Sequence, residues 1–397
     1  MKLNEFNCHN LEQIKKDYEV TDLVAQAIES HNLSQEAFKE FDERIELDLN
    51  NHPELQPLKA QIERCHNENE RILILSSHTV DNLFATIIFA RLCVIKKIAY
   101  TLTHINKDET MVRGNILILG ETIRFLNKAK GLDIVLPESY LANSGIAYLI
   151  SSCFANDRYA LALACMGTIA SNKDLIKENR TLYHDGKQLL EDQRYKCMER
   201  VLISREKRNQ QLLYNGRNYT PYSAGMIRRR FVFPLNRYLE EHGDKRFVGL
   251  IQYFFNPNKE DKKYQMFGTM LNGIDVEVPE FNDNPTYIET NLDLVTIDNV
   301  RALDHTFEPY HAGFNRPHWV IHDIEVAEYR KFDMARGLEL SFRTNHGLVK
   351  ASAYENECVH VKINNGDHVT VAGTLSINGF SGLPMLHMKV LENLSNE

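Results

Sequence analysis

No stretch of this sequence approaches the roughly 20 consecutive apolar residues that span a bilayer. The longest apolar region, 72–75 resuming at 83–90, is interrupted by Ser76, Ser77, His78 and Asp81. The N-terminus, MKLNEFNCHNLEQ, lacks an apolar core, so no signal peptide is expected and the protein is read as cytoplasmic, with no membrane partner. The seven cysteines form no CxxC pair and are odd in number, which argues against a disulfide framework or a compact zinc motif. Free thiols in a reducing compartment are expected instead. No GxxxxGK[ST] occurs, which excludes a nucleotide-hydrolysing P-loop. Tryptophan occurs once, at Trp319. Basic residues are outnumbered, 46 Lys and Arg against 54 Asp and Glu, so a polyanion is not attracted to the surface as a whole.

What is present suits a globular chain: 43% of the residues are hydrophobic and 25% charged. A length of 397 residues suggests two to four domains. Residues 11–48 read as helices, with apolar spacing over 11–33 and a further helix opened by Ser34 as N-cap, and another helix is expected over 58–65. The run RILILSS (71–77) is continuously apolar, as in a strand buried on both faces of a parallel sheet. A helix over 83–95, a strand over 98–102, the strand NILIL (115–119), a helix over 121–129 and the strand LDIVL (132–136) follow. That alternation predicts an α/β domain. A long amphipathic helix is expected over 187–213. Residues 191–263 carry 16 Lys and Arg against 9 Asp and Glu, including the run Arg228, Arg229, Arg230. Such a run reads as a solvated face or as a phosphate-contacting patch. From residue 286 short strands predominate. A hairpin is expected across 344–347, a strand over 359–363, a turn at Asn364-Asn365-Gly366, and strands over 369–377 and 385–391. This texture fits a small barrel such as an OB-fold.

Ligands of open parallel sheets sit beyond the C-terminal ends of the strands. The loop 77–82 is therefore the first place to look for chemistry. A two-metal phosphoesterase needs about six carboxylate and histidine ligands there. Only His78 and Asp81 qualify. They would bind one ion at most, or Asp81 would act as an N-cap of the following helix. His311, His318 and His322 lie close to Asp323, but their spacing fits no compact zinc motif and a wet loop is expected.

Three segments, LANSGIAYL (141–149), MGTIASNKDLIKENRTLYHDG (166–186) and FEPYHAGFNRPHW (307–319), give the chain a wider likeness. In their order and spacing the chain resembles RecJ-type single-strand nucleases of the DHH phosphoesterase superfamily. The resemblance implies a DHH-type parallel-sheet domain, a DHH-associated α/β domain, a long linking helix and a C-terminal OB-fold barrel. The expected boundaries are 1–70 for a helical lead, 71–186 for the sheet domain, 187–284 for the basic linking helix and associated domain, and 285–397 for the OB-fold.

The catalytic motifs implied by the resemblance are mostly missing. The first motif, Asp-x-Asp-x-Asp-Gly, falls on Ser77, Thr79, Asp81 and Asn82, so one carboxylate of three is kept. The Asp expected after NILIL is replaced by Gly120-Glu121. The Asp-His-His motif lands near Glu138, Ser139 and Tyr140. The Asp of Gly-Thr-Ile-Ala-Asp becomes Ser171, and the Gly-Gly-His phosphate loop has no counterpart. Serine and threonine hydroxyls are poor substitutes for carboxylates around Mg²⁺ or Mn²⁺. The expectation is a catalytically degenerate protein without a cofactor, its vestigial site made of Ser77, His78, Thr79, Asp81, Asn82, Glu138 and Ser171. The expected partners are single-stranded DNA, a protein of a replication, recombination or repair complex, or both. Arg228, Arg229, Arg230 and Arg237 are the phosphate-contact candidates. Phe342, Tyr354 and Phe380 are candidates for base stacking, and Trp319 a weaker one. Two alternatives stand beside this: an active nuclease with a rebuilt Mn²⁺ or Mg²⁺ site on Asp81 and His78, and a pure protein-interaction subunit.

Overall fold

The structure is a computed structural model. The described residues are 3–42, 45–104, 114–171, 173–193, 195–202, 224–242, 244–258, 268, 270–271, 274, 285–308, 310, 315–332, 337–354, 357–378 and 381–396. Two compact units emerge. One joins Met1–Asp42 to Pro279–Glu397, with Gly216–Tyr219. The other is Glu43–Asn215 with Thr220–Val278. The expected helical lead is thus shared out: residues up to Asp42 go with the OB-fold and the rest with the sheet domain.

The first unit starts with a two-residue strand β1 (Glu5–Phe6) and three helices, α1 (Leu11–Tyr18), α2 (Asp22–Ser30) and α3 (Gln35–Asp42). Ser34 caps α3 as expected, its Oγ accepting the Ala37 N–H at 3.1 Å. Leu23, Val24, Ala27 and Ile28 bury one side of α2.

The second unit begins with α4 (Gln56–Asn67), whose Leu58, Ile62 and Cys65 face inward. The strand β2 (Ile72–Ser76) then leads into α5 (Val80–Ile95). α5 is apolar nearly all round because it is surrounded by other elements, which is what such a helix requires. β3 (Tyr100–His104) and β4 (Asn115–Leu119) flank β2 in parallel. The helix expected over 121–129 is instead a strand, β5 (Ile123–Asn127). Ile123, Phe125 and Asn127 are buried in alternation, the period of a strand and not of a helix. β5 and β6 (Leu132–Val135) pair antiparallel, so the five-stranded sheet β3-β2-β4-β5-β6 is mixed, not wholly parallel.

α6 (Asn143–Ser152), α7 (Arg158–Ala170) and α8 (Lys177–Gln193) pack beside α5. The single helix expected over 187–213 does not form as such. α8 ends at Gln193 and α9 (Lys196–Leu202) follows, and 203–213 lie outside the described residues. Apolar spacing runs on across the break, since Leu189, Leu190, Tyr195, Met198 and Val201 all enter the same core. α10 (Ala224–Ile227), a π-helical turn Arg228–Val232, α11 (Phe233–His242) and α12 (Asp244–Phe255) complete the described helices, and they share one continuous core with the sheet layer.

Returning to the first unit, β7 (Tyr287–Glu289) and α13 (Ile297–Phe307) precede the barrel. The barrel comprises β8 (His318–Glu325), β9 (Glu328–Phe332), β10 (Gly337–Thr344), β11 (Gly347–Tyr354), β12 (His368–Ile377) and β13 (Pro384–Asn393). β8 and β9 act as one bent strand. β8 pairs with β12, and β9 with β10, so the chain changes neighbours at Val326 and Ala327. The Val326 N–H donates to the Asp367 carbonyl and the Ala327 N–H to the Ser341 carbonyl, both at 2.9 Å. With β11 parallel to β13, the order closes as an OB-fold does. The hairpin across 344–347 forms as expected. The strand expected over 359–363 does not: Glu357–His360 is a 3₁₀ turn. The Asn-Asn-Gly turn faces Val326, whose carbonyl accepts the Gly366 N–H at 2.8 Å.

Candidate functional site: the loop after β2

The loop between β2 and α5 lies at the C-terminal end of the central strand, where sheets of this kind hold ligands. Thr79 caps α5, its hydroxyl accepting the Asn82 N–H. Asp81 is therefore not the cap of α5, as the spacing suggested. It sits in the first turn of α5 and reaches across to another helix. Its Oδ2 accepts the Asn143 N–H at 2.9 Å and its Oδ1 the Ser144 N–H at 3.0 Å. These are orphan donors at the start of α6, so the carboxylate caps a helix 62 residues away in sequence. Burial pushes the Asp81 carboxyl up, while the Ser144 and Asn143 donors and the Lys173 ammonium pull it down.

The neighbouring polar groups bond one another. The Asn82 Nδ2 donates to Ser77 Oγ at 2.7 Å and to the Gly120 carbonyl at 2.8 Å. Its Oδ1 accepts from Asn143 Nδ2, which also donates to Gly120. Ser171 lies apart from this network at the C-terminus of α7, its hydroxyl donating to the Thr168 carbonyl. Gly167 brings α7 against Asp81 and Ser144. An added Cβ would lie 2.3 Å from Ser144 Oγ and 2.9 Å from Asp81 Oδ1, so only glycine fits. His78 turns to the Phe247 ring, 5.4 Å between centroids. Glu138 is exposed, 3.8 Å from Lys173 Nζ, in a shallow cleft of about 160 Å³ that Glu121 also lines.

A Mg²⁺ or Mn²⁺ ion asks for about six oxygen ligands, several of them carboxylates. Here the loop's one carboxylate, half-buried, directs both oxygens at backbone donors, and the asparagines are spent on one another. Among the described residues no group of three His, Cys, Asp or Glu is placed to hold a metal. The residues present do not fit such an ion.

Sequence reasoning missed a cluster centred on the buried pair His52 and Glu178. His52 Nε2 meets Glu178 Oε1 and its Nδ1 meets Glu54 Oε1, both at 3.2 Å. Tyr140 donates its hydroxyl to Glu178 Oε2. Burial and Glu178 hold the Tyr140 phenol above its ordinary range. With His52 and Glu178 separated by 126 positions in sequence, no local pattern could announce the contact.

The nucleic-acid candidates divide. Arg228 is half-buried, its Nε donating to the Ile169 carbonyl at 3.4 Å, and burial lowers its guanidinium from the ordinary value. Arg230 Nη1 donates to the Leu202 carbonyl at 3.4 Å. Arg237 is exposed and pairs with Glu241 at 2.9 Å. Phe342 is 1% exposed and belongs to the barrel core, which removes it as a stacking platform. Trp319 is likewise buried. The side chains of Arg229 and Tyr354, and all of Phe380, lie outside the described residues. Of the three histidines, His318 and His322 stand on β8 and not on a loop, and His311 lies outside the described residues. Burial, with Lys389 and Arg316 nearby, pushes His318 down to about 4.

Among the described residues no helix is long and apolar enough to cross a membrane. Residues 288–392 match the RecJ OB domain family. No curated protein matches the sequence. Among solved structures, RecJ from Thermus thermophilus in complex with Mn²⁺ is similar at 14% identity and a TM-score of 0.58, over 96% of this chain and 78% of that one. The same protein in complex with Mg²⁺ matches at 14% identity and 0.58, over 96% and 76%. CDC45 from Entamoeba histolytica shares 8% identity at 0.29, over 72% and 87%, too slight a likeness to bear on function. The chain thus carries an OB domain of the RecJ type and shares the fold of RecJ over nearly its whole length.

Proposed function

We propose that this RecJ-like protein binds and does not hydrolyse, serving as a subunit of a DNA replication, recombination or repair assembly. One observation carries the reading. The Asp81 carboxylate, the one acid left of the first motif, is committed to the Asn143 and Ser144 N–H groups. Single-stranded DNA is the first ligand to test, because OB-folds hold single strands on aromatics along a groove. The purified protein is expected to show no Mn²⁺- or Mg²⁺-dependent digestion of a labelled single strand above a no-enzyme blank. Robust digestion that disappears in Asp81→Ala would mean that the site has been rebuilt, and would restore the nuclease reading.

A second reading, a protein-docking subunit, is favoured by the distribution of charge. The unit containing the OB domain has 14 Lys and Arg against 26 Asp and Glu, a net of −12. The remainder of the chain is therefore +4 within a total of −8. A unit so acidic repels phosphates and attracts basic protein surfaces. Salt-dependent affinity for a single strand, measured beside co-purification of a replication or repair protein from the native host, separates the two readings.

A further inference from the structure

The sheet of the OB unit contains a slot between β1 and β8, crossed by one side-chain contact, His322 Nε2 to Glu5 Oε2 at 3.3 Å. β1, β7 and β8 lie side by side and parallel, Glu5 opposite Tyr287 and Tyr287 opposite His318. β7 stops at Glu289 after three residues, and Thr290 donates its N–H to the Val320 carbonyl at 3.0 Å before the chain turns away. β8 runs on to Glu325, and among the described residues no strand pairs with that edge beyond Val320. The slot is a groove of about 510 Å³, with Asn7 and Cys8 on the β1 side and residues 321–324 on the β8 side. Strands in a sheet lie about 4.8 Å apart, so the place vacated by one strand admits one extended chain.

We propose that this groove takes an extended segment of a partner protein as an added strand, with Lys or Arg side chains alternating with apolar ones. The inference rests on the docking reading and gives that partner a chemistry. A strand edge beside a cavity offers backbone hydrogen bonds for affinity and pockets for alternate side chains. Leu11, Leu292 and Leu294 provide apolar surface, while Glu289 and the exposed Asp323, whose Oδ1 meets His368 Nδ1 at 2.8 Å, provide negative charge. No Lys or Arg lines the groove, and the whole unit carries −12. Asp323 adopts φ +49, and the pairing of β8 with β12 shifts register nearby. That irregularity shortens the usable edge, which restrains indiscriminate strand pairing and selects a short insert.

The test uses the full chain and a fluorescein-labelled KVKVKVKV peptide, with EVEVEVEV and the block peptide KKKKVVVV as probes of charge and alternation. Fluorescence anisotropy is expected to show KVKVKVKV binding at least tenfold tighter than either. Glu289→Lys, and separately Asn7→Trp, which fills the slot, should each weaken it tenfold or more while the melting temperature holds. Amide exchange over 321–324 should slow when the peptide is present. The proposal is overturned if KVKVKVKV does not bind, if the block peptide binds equally well, or if both variants bind as the parent does. Co-purification from the native host keeps the two failures apart. A partner retained in full by both variants sinks the groove alone, whereas no partner on the parent protein sinks the docking reading itself.

Discussion

Asp81 shows how one carboxylate can be given over to holding a helix end. A half-buried acceptor that satisfies two backbone donors is costly to remove, because the donors then lose their partner where water reaches them poorly. Asp81→Ala should therefore destabilise the fold by about 2–4 kcal/mol, read as a shift of the urea midpoint. An unchanged midpoint would show that Asn143 and Ser144 find other partners, and that the capping role is wrong. The sequence revealed that Asp81 was isolated from other acids, because neighbouring positions in the loop can be read directly. It did not reveal what Asp81 holds, because Asn143 and Ser144 lie more than 60 residues on. Local spacing pointed to a cap within its own helix, and Thr79 already fills that place.

Elements were legible where burial imposes a period. The continuous run of β2, buried at four of its five positions, follows that rule. β5 was misread because Glu121 and Thr122 resemble a helix start, although the inward set Ile123, Phe125 and Asn127 has period two. The arginine run is a similar case. A sequence shows three consecutive charges, but the π-helical turn that carries them directs two toward the carbonyls of Ile169 and Leu202. Arg228→Ala should cost about 1–3 kcal/mol of stability through a partly buried charge-assisted hydrogen bond. Arg237→Ala, at an exposed helical pair, should cost no more than about 0.5 kcal/mol. Urea unfolding of the two variants checks the contrast, and equal losses would contradict it. Arg237 is thus the cleaner probe of phosphate contact, because a fall in single-strand affinity there does not report lost folding.

At the scale of the molecule, the OB unit is assembled from both ends of the chain. Asn4 Nδ2 donates to Thr286 Oγ1, and Gln26 bonds the Glu289 carbonyl and the Thr290 hydroxyl. A fragment of residues 279–397 should accordingly be less stable than the same fragment supplied with a peptide of residues 1–42. Urea unfolding with and without the peptide measures this, and no gain on adding the peptide would show that the barrel needs no N-terminal partner. Composition could not announce the arrangement, since helices at the start of a chain read as a separate lead wherever they later pack. Time of synthesis gives the same geometry another meaning. Residues 1–42 leave the ribosome long before their partners, with about 240 residues still to be made before Pro279. At roughly 5–20 residues per second, the apolar side of α2 waits about 12–50 s for its surface. The middle of the chain is free to fold in that interval, so α1 to α3 are made before it and covered after it, and a chaperone that shields them acts on the nascent chain.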